Sequence, residues 1–409
     1  MKNWQLLIFL LHISGNLYAF QLPDNLPISI TGEYSSFDSN NRNGLSIKRD
    51  SVLLRNYYIG TNIGTLTEID PTIALDGNFD IYIQRQIGSE QRSPRTLVDV
   101  NYLFASRNQL NSELKIGKLK RIQFGSQFDY GISDPYRPFN RRIDEGFVGI
   151  SFAGFYDSSS LQIYFLPAFD MRHSIELSNP NQSPITNFIF SHFTSGLDLK
   201  WSNFLISGPA NQTRSALSAS YSSSNHPALI YFCDAELDLG TPAVIFSDAQ
   251  DTQPALLNTG KTSSNAPLLN SLLGFKWLLG EQLQLGFQLI YHKNGFSASQ
   301  TNRVFELARE SDAFKYQLLQ FNDDYLFSKT YSSLNFTYNS LSTDQTVFLQ
   351  LLLNNNDRSA MFLASLRLSF LNSGTLDLRI TTPVASSVNS QFRNSFFQQI
   401  LQIKFSYGL

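Results

Sequence analysis

The strongest constraint in this sequence is an alternation of apolar and polar residues with a period of two. In residues 346–354 the apolar row is Val347, Leu349, Leu351 and Leu353, and the alternate row is Thr346, Phe348, Gln350, Leu352 and Asn354. Residues 333–338 and 375–381 alternate in the same way. A period of two is typical of β-strands with one apolar face. Segments of this kind, each of roughly ten residues, recur between Asn, Ser, Gly, Asp and Pro, so we predict an all-β fold.

The composition favours a single domain, and its low charge and many aromatic residues suit a protein with more than one apolar surface. The 409 residues would permit two or three soluble domains, but no Pro-rich linker or charge block divides residues 20–409. Charged residues make up 16% of the chain, against roughly 25% in soluble domains, and aromatic residues reach 13%. The net charge of −2 gives no indication of a nucleic-acid partner.

The N-terminus has the pattern of a secretory signal peptide. Lys2 precedes an apolar stretch that begins at residue 6 and runs to about Ile13. The tripeptide Leu17-Tyr18-Ala19 then ends in a small residue, as cleavage sites do. We therefore predict that residues 1–19 are removed and that residues 20–409 form a single exported domain.

Export, cysteine content and hydropathy together favour a barrel in a membrane. The only cysteine is Cys233, so no intramolecular disulfide forms, although exported soluble proteins often use them. No stretch after residue 20 has the ~20 apolar residues of a membrane helix. A soluble sandwich turns its apolar faces inward, whereas a transmembrane barrel turns them to lipid and its polar faces, here carrying Arg367, Asp377 and Arg379, to the lumen. We favour the barrel.

The end of the chain carries a second alternation. Its apolar row is Leu401, Ile403, Phe405, Tyr407 and Leu409. This pattern resembles the C-terminal strand of bacterial outer-membrane proteins, which the barrel-assembly machinery recognises, although the usual terminal residue there is Phe. The resemblance implies outer-membrane lipid and that machinery as partners. An apolar edge strand would be an aggregation hazard in a soluble protein, and closure of a barrel removes it.

The number of strands follows from the length of the chain. Two strands with one short turn and one longer loop use about 45–50 residues. Residues 20–409 therefore predict a transmembrane antiparallel β-barrel of about 16 strands, within a range of 14–18. The segments 279–281 and 372–374 predict tight turns, and residues 297–325 predict a long extracellular loop. A short helix in that loop would cover the mouth, fold inward as a constriction or only decorate the loop; its apolar face would hold Val304, Leu307, Ala308, Phe314 and Leu318.

Residues 114–170 resemble a family of porin-like outer-membrane proteins of Gram-negative bacteria, akin to the alginate-export porins. The matching elements are Ile116-Gly117-Lys118, Phe124-Gly125 where the family has Trp-Gly, Ser133-Asp134-Pro135 and Pro138-Phe139. Weaker likenesses occur at residues 291–296 and 356–359 and spread over most of residues 90–409. The resemblance implies a barrel, export through the Sec pathway, a transport-like role and no catalytic residues.

The densest charge cluster gives the candidate site residues. Its members are Lys118, Lys120, Arg121, Asp129, Asp134, Arg137, Arg141, Arg142, Asp144 and Glu145. An Arg that faces lipid at the midplane costs ~2–4 kcal/mol, so these charges belong in the lumen, in a loop or at the rim. Facing rows of opposite charge would create a transverse field that orients solutes. The alternative is a salt-bridged loop that closes or braces the barrel.

Catalytic, metal and cofactor sites find little support. Outer-membrane phospholipases carry a His-x-Ser-Asn-Gly segment followed by Asn-Arg, which residues 292–295 and 302–303 resemble in part. Asn294 stands where acyl transfer needs the Ser nucleophile, and Ser297 or Ser299 would require a different geometry. The five histidines show no metal-ligand spacing, and no glycine loop has a phosphate-binding pattern. We predict no catalytic residues, no metal and no cofactor.

We therefore expect a porin-like channel in the bacterial outer membrane for passive passage or export of small solutes. A structural or adhesive surface barrel plugged by its own loops is the main alternative. An outer-membrane lipid hydrolase and a secreted soluble β-protein are further hypotheses.

Overall fold

The computed structural model describes most of the chain after residue 27. The described residues are 28–39, 55–87, 95–119, 147–169, 183–194, 196–206, 212–223, 226–239, 243–247, 256–260, 268–293, 295–311, 314, 328–340, 344–370, 373–384, 390–392 and 397–408. The predicted signal peptide, residues 1–19, lies outside them.

Twenty strands and one helix make up the described fold. The first ten strands are β1 (Ile28–Ser39), β2 (Arg55–Asp70), β3 (Ile73–Ile87), β4 (Arg95–Gln109), β5 (Ser112–Leu119), β6 (Phe147–Tyr156), β7 (Ser159–Phe169), β8 (Ser183–Thr194), β9 (Leu197–Ile206) and β10 (Gln212–Ser223). The others are β11 (His226–Leu239), β12 (Ala243–Ser247), β13 (Leu256–Gly260), β14 (Leu268–Leu279), β15 (Leu283–His292), β16 (Thr330–Asn339), β17 (Gln345–Asn354), β18 (Ser359–Phe370), β19 (Gly374–Val384) and β20 (Phe397–Gly408). The helix, α1, spans Ala298–Glu310.

Eighteen of these strands form one closed antiparallel sheet. Each strand pairs with the next along the chain, except that β11 pairs with β14 and the β12–β13 hairpin forms a separate two-stranded sheet. The ring closes because β1 pairs with β2 on one side and with β20 on the other. The predicted antiparallel barrel is therefore confirmed, and its strand number of 18 lies at the upper end of the predicted range.

The two ends of the barrel differ in their connections. At one end, which we call the short-turn end, hairpins reverse within a few residues, as between Asp70 and Ile73. The predicted turns at 279–281 and 372–374 both lie at this end, and Gly280 adopts a φ of 74°, which favours glycine. At the opposite end, which we call the long-connection end, many residues of the chain separate the end of one strand from the start of its next partner, as between Leu119 of β5 and Phe147 of β6, or His292 of β15 and Thr330 of β16. The alternation of short turns and long connections is the one expected of outer-membrane barrels.

The apolar faces of the strands point outward, away from the barrel axis. On β16, Leu334 is 48% exposed while its neighbour Ser333 is fully buried. On β20, Leu401 is exposed and Gln402 is buried. The predicted orientation, apolar face outward and polar face inward, is therefore confirmed, and the soluble sandwich with an apolar core is wrong. Cys233 is a free, exposed cysteine in the outward row of β11.

The predicted loop helix is present as α1. Ser297 caps it, because its hydroxyl accepts a hydrogen bond from the amide of Gln300 while the Gln300 side chain accepts one from the amide of Ser297. Four residues of its predicted apolar face, Val304, Leu307, Ala308 and Phe314, are buried, and the fifth, Leu318, lies outside the described residues. Among the described residues, no helix is long and apolar enough to cross a membrane.

Candidate functional site

The interior of the barrel is lined by the inward side chains of the 18 strands, which we call the inner wall. Its buried polar members are Ser106, Ser151, Asn187, Ser202, Ser218, Asp234, Glu236, Gln288, Ser333, Gln350, Asn354, Thr381 and Gln402. They come from eleven of the 18 strands, so no single hairpin supplies the polar surface. A closed sheet with a polar interior is the arrangement that encloses a hydrophilic lumen.

A charged row crosses the inner wall near the short-turn end. Register places Arg367 of β18 opposite Asp377 of β19, and Asp377 opposite Lys404 of β20; we call these three residues the charge ladder. Nε of Arg367 donates to Oδ1 of Asp377 at 2.6 Å, and its NH2 group donates to Oδ2 at 3.4 Å. The side chain of Arg367 nevertheless remains 61% exposed, whereas that of Asp377 is 17% exposed. The pair therefore holds the guanidinium in place and leaves it accessible from the lumen.

A second ion pair lies on the inner wall of β5. Nζ of Lys115 is 2.7 Å from Oε2 of Glu113, two residues away on the same face. The same ammonium lies 5.5 Å from the ring centroid of Phe104 on β4. Both side chains of the ion pair are partly exposed, so this part of the wall presents a balanced pair rather than a single charge.

Two carboxylates, Asp234 and Glu236, occupy consecutive inward positions on β11 and are both buried. Register places Glu236 beside Asn270 of β14, and Asn270 beside His292 of β15. Nδ1 of His292 lies 3.1 Å from Oδ1 of Asn270. This part of the wall thus carries two carboxylates, whereas the charge ladder carries Arg367, Asp377 and Lys404.

Only one of the eight predicted site residues lies among the described residues. Lys118 is on β5, in the outward row that contains Ile116, and its ammonium donates a hydrogen bond to the carbonyl of Val100. The others, Lys120, Arg121, Asp129, Asp134, Arg137, Arg141 and Arg142, lie outside the described residues. Their role as pore-lining or rim charges stays a prediction.

His292 and Ser297, two described residues considered in the lipid-hydrolase hypothesis, each make polar contacts with other side chains and not with one another. His292 lies beside Asn270 on the inner wall, and the Ser297 hydroxyl contacts Ser299 at 3.0 Å and Gln300 at 3.1 Å in the cap of α1. A serine–histidine hydrogen bond does occur elsewhere, between Ser159 and His192 at 2.8 Å.

Sequence reasoning missed the Ser159–His192 pair because 33 residues separate its members. The pair lies at the short-turn end, in the outward rows of β7 and β8. Within the described part of the chain, no carboxylate is hydrogen-bonded to His192, and no cluster of three or more His, Cys, Asp or Glu residues could hold a metal.

Comparison with solved structures identifies the same architecture in outer-membrane porins. OccK5 (OpdH) of Pseudomonas aeruginosa is 12% identical, with a TM-score of 0.57 over 94% of this chain and 97% of that one. OccAB2 of Acinetobacter baumannii is 11% identical, with a TM-score of 0.56 over 94% and 98%. OpdQ of Pseudomonas aeruginosa is 11% identical, with a TM-score of 0.57 over 95% and 99%. All three are outer-membrane porins, so the resemblance found in the sequence is confirmed at the level of the fold.

No protein-family model matches the chain. No curated protein matches it either.

Proposed function

We propose that this protein is a channel of the bacterial outer membrane through which small solutes diffuse passively along the barrel lumen. The observation that carries the proposal is the exposure of Arg367. Its side chain is 61% exposed although it projects from the inner wall of a closed ring of strands. A charge of this kind is stable there if water reaches it, because an unhydrated charge in a dry interior is costly.

The surface of the barrel supports the membrane location. Outward side chains around the ring are apolar and exposed, among them Leu114, Phe152, Leu217 and Leu334, and acyl chains would cover them.

Strand β20 carries the apolar alternation that outer-membrane proteins present to the barrel-assembly machinery. Residues 1–19 would direct export before assembly. The direction of net movement, uptake or export, would follow the gradient of the solute.

Single-channel recording in planar lipid bilayers tests this proposal. The full chain, purified in detergent, is expected to give stepwise increases in current, and heat-denatured protein serves as the control. Vesicles that contain the protein are expected to swell in isotonic solutions of small sugars and to stop swelling as the sugar grows. A folded barrel that gives neither current steps nor swelling would contradict the proposal and favour the plugged surface barrel. Release of fatty acids from phospholipid vesicles would favour the hydrolase.

A further inference from the structure

Residues 390–392 of the β19–β20 connection lie inside the barrel at its long-connection end. Ser390, Gln391 and Phe392 are all fully buried. Phe392 belongs to a cluster with Leu272, Ile290, Tyr331, Leu352 and Met361, and each of these five occupies an inward position on β14–β18. The Phe392 and Tyr331 ring centroids are 6.4 Å apart. Phe392 therefore packs on the inner wall, and we call residues 390–392 the inserted segment.

The depth of insertion follows from register. At the long-connection end, β17 ends at Asn354 and β18 begins at Ser359, and these two residues are paired. Leu352 and Met361 form the next inward pair, further from the rim. Two residues along a strand correspond to about 7 Å. Phe392 therefore reaches below the rim of the β17–β18 hairpin and takes up space inside the lumen.

Polar contacts fix the inserted segment to the wall. The side-chain oxygen of Gln391 accepts hydrogen bonds from the Tyr331 hydroxyl at 2.7 Å and from the side-chain amide of Asn354 at 3.0 Å. The backbone amide of Gln391 donates to Oδ2 of Asp357 at 2.6 Å, and that of Phe392 donates to the Ser359 hydroxyl at 3.4 Å. All of these partners lie on β16 or at the β17–β18 turn, so the segment is attached to one side of the lumen.

The turn that receives the inserted segment is itself ordered by hydrogen bonds. Oδ1 of Asp357 accepts from the Ser359 amide at 2.9 Å and from the Ser359 hydroxyl at 2.6 Å. The remaining carboxylate oxygen is the one that binds Gln391. The turn at residues 356–359, one of the weaker likenesses to the porin-like family, thus carries the acceptor for the segment.

Tyr331 also contacts the end of the β15–β16 connection, which contains α1. The amide of Ser328 donates to the Tyr331 hydroxyl at 2.7 Å, and Asn354 donates to the Ser328 hydroxyl at 2.8 Å. Ser328 forms a parallel bridge with Phe296. The backbones approach so closely there that a Cβ on Gly295 would lie 2.5 Å from the Ser328 carbonyl. One hydroxyl therefore joins two connections to the inner wall.

We infer that the inserted segment is a fixed constriction that limits the size of the solutes passing the lumen, and that the Tyr331 hydroxyl holds it in place. This inference rests on the proposed function, because a constriction matters only if solutes pass. Because the Phe392 ring is fully buried against β16–β18, removing it leaves a cavity there and takes away packing that holds the inserted segment in place. Removing the hydroxyl leaves the amide of Ser328 and the side chain of Gln391 each without one partner in a buried site. Either change should loosen or empty the constriction.

The test compares Phe392→Ala and Tyr331→Phe with the unmodified full chain in planar bilayers and in sugar-swelling vesicles. Phe392→Ala is expected to raise single-channel conductance by roughly 1.5-fold to threefold and to admit larger sugars. Tyr331→Phe, which keeps the ring, is expected to give a smaller increase with a noisier open current. Tyr338→Phe is the matched control, because Tyr338 lies on the same strand and is exposed outward; its conductance should equal that of the unmodified chain.

The outcomes separate the inference from the proposed function. If the unmodified chain conducts and both lumen variants match it, the constriction is refuted and the channel stands. If neither the unmodified chain nor the variants conduct, the channel itself is refuted, and the constriction with it. If only the variants conduct, the inserted segment closes the lumen, which supports its position and overturns passive passage through the unmodified chain. A heat-dependent shift in gel migration shows that each variant is folded, and Tyr331→Phe, which lacks a single oxygen atom, guards against misfolding of Phe392→Ala.

Discussion

The orientation of the strands can be tested by placing arginine at two neighbouring residues of β16. Leu334 is the fifth of ten residues in this strand and faces outward, and Asn335 follows it on the inner wall. The two variants, Leu334→Arg and Asn335→Arg, place the new side chain at neighbouring residues but on opposite faces of the sheet. Any general effect of a new charge on this strand is therefore the same in both.

The expected cost differs because the two faces meet different solvents. An arginine that faces acyl chains near the midplane costs about 2–4 kcal/mol. Leu334 is 48% exposed, so about half of its surface packs on neighbours, and losing that packing adds roughly 1 kcal/mol. At residue 335 the guanidinium enters a polar lumen next to Gly286, which has no side chain to displace, and we expect a cost within about 1 kcal/mol. The difference between the variants should be at least about 2 kcal/mol, or roughly 30-fold in the unfolding equilibrium constant.

The assay is equilibrium unfolding in guanidinium chloride, with the protein folded in phosphatidylcholine vesicles. Tryptophan fluorescence and the heat-dependent gel shift report the folded fraction, and linear extrapolation gives the free energy of unfolding. An Asn335→Arg variant as unstable as Leu334→Arg, or less stable, would refute the outward direction of the apolar face. The argument for a lumen would then fail with it.

Three further predictions follow from the same geometry. Trp201 and Trp277 both face outward, so lipids with brominated acyl chains should quench most of the fluorescence of the chain that lacks residues 1–19, and quenching by a water-soluble agent alone would contradict this. Replacing Arg367 with Ala removes a positive charge from the lumen, and the zero-current potential in a salt gradient should shift towards cation preference; no shift would place this side chain outside the solute path. Hydrogen bonds from the side chain and backbone of Thr72 lower the pKa of Asp70, so protection of the Thr72 amide, measured as its exchange rate relative to the intrinsic rate at each pH, should persist near pH 6 and be lost only as the pH falls through that lowered pKa. Equal exchange rates in Asp70→Ala and the unmodified chain would contradict the role of this carboxylate in the turn.

The strands were predictable because their signal is local. The alternation in residues 346–354 and 375–381 follows from which face of a strand meets lipid, and β17 and β19 occupy these positions. The strand number was predicted less closely. Turns such as the one between Gln109 and Ser112 use two residues, which is shorter than the average connection assumed for a hairpin, so the same length of chain holds two more strands.

The site was predictable only in part, because its contacts join distant residues. The inward positions of Arg367 and Asp377 follow from alternation, but their pairing depends on the register of β18 and β19. Tyr331 and Gln391 are 60 residues apart, and neither stands out in the sequence. The residues next to Gln391 in the sequence give no indication that its side chain will accept a hydrogen bond from a tyrosine on a distant strand.

Departures from alternation carry information that the regular pattern does not. The row of β17 that faces inward contains Gln350 and Asn354, yet Leu352 lies between them and is buried. An apolar side chain on the inner wall of a water-filled barrel would lose the free energy of its burial, about 1.5–3 kcal/mol for leucine, unless another part of the chain covers it. Phe392 provides that cover. The apolar residues in the inward rows of β14–β18 that cluster with Phe392 therefore mark the side of the lumen on which the inserted segment meets the wall.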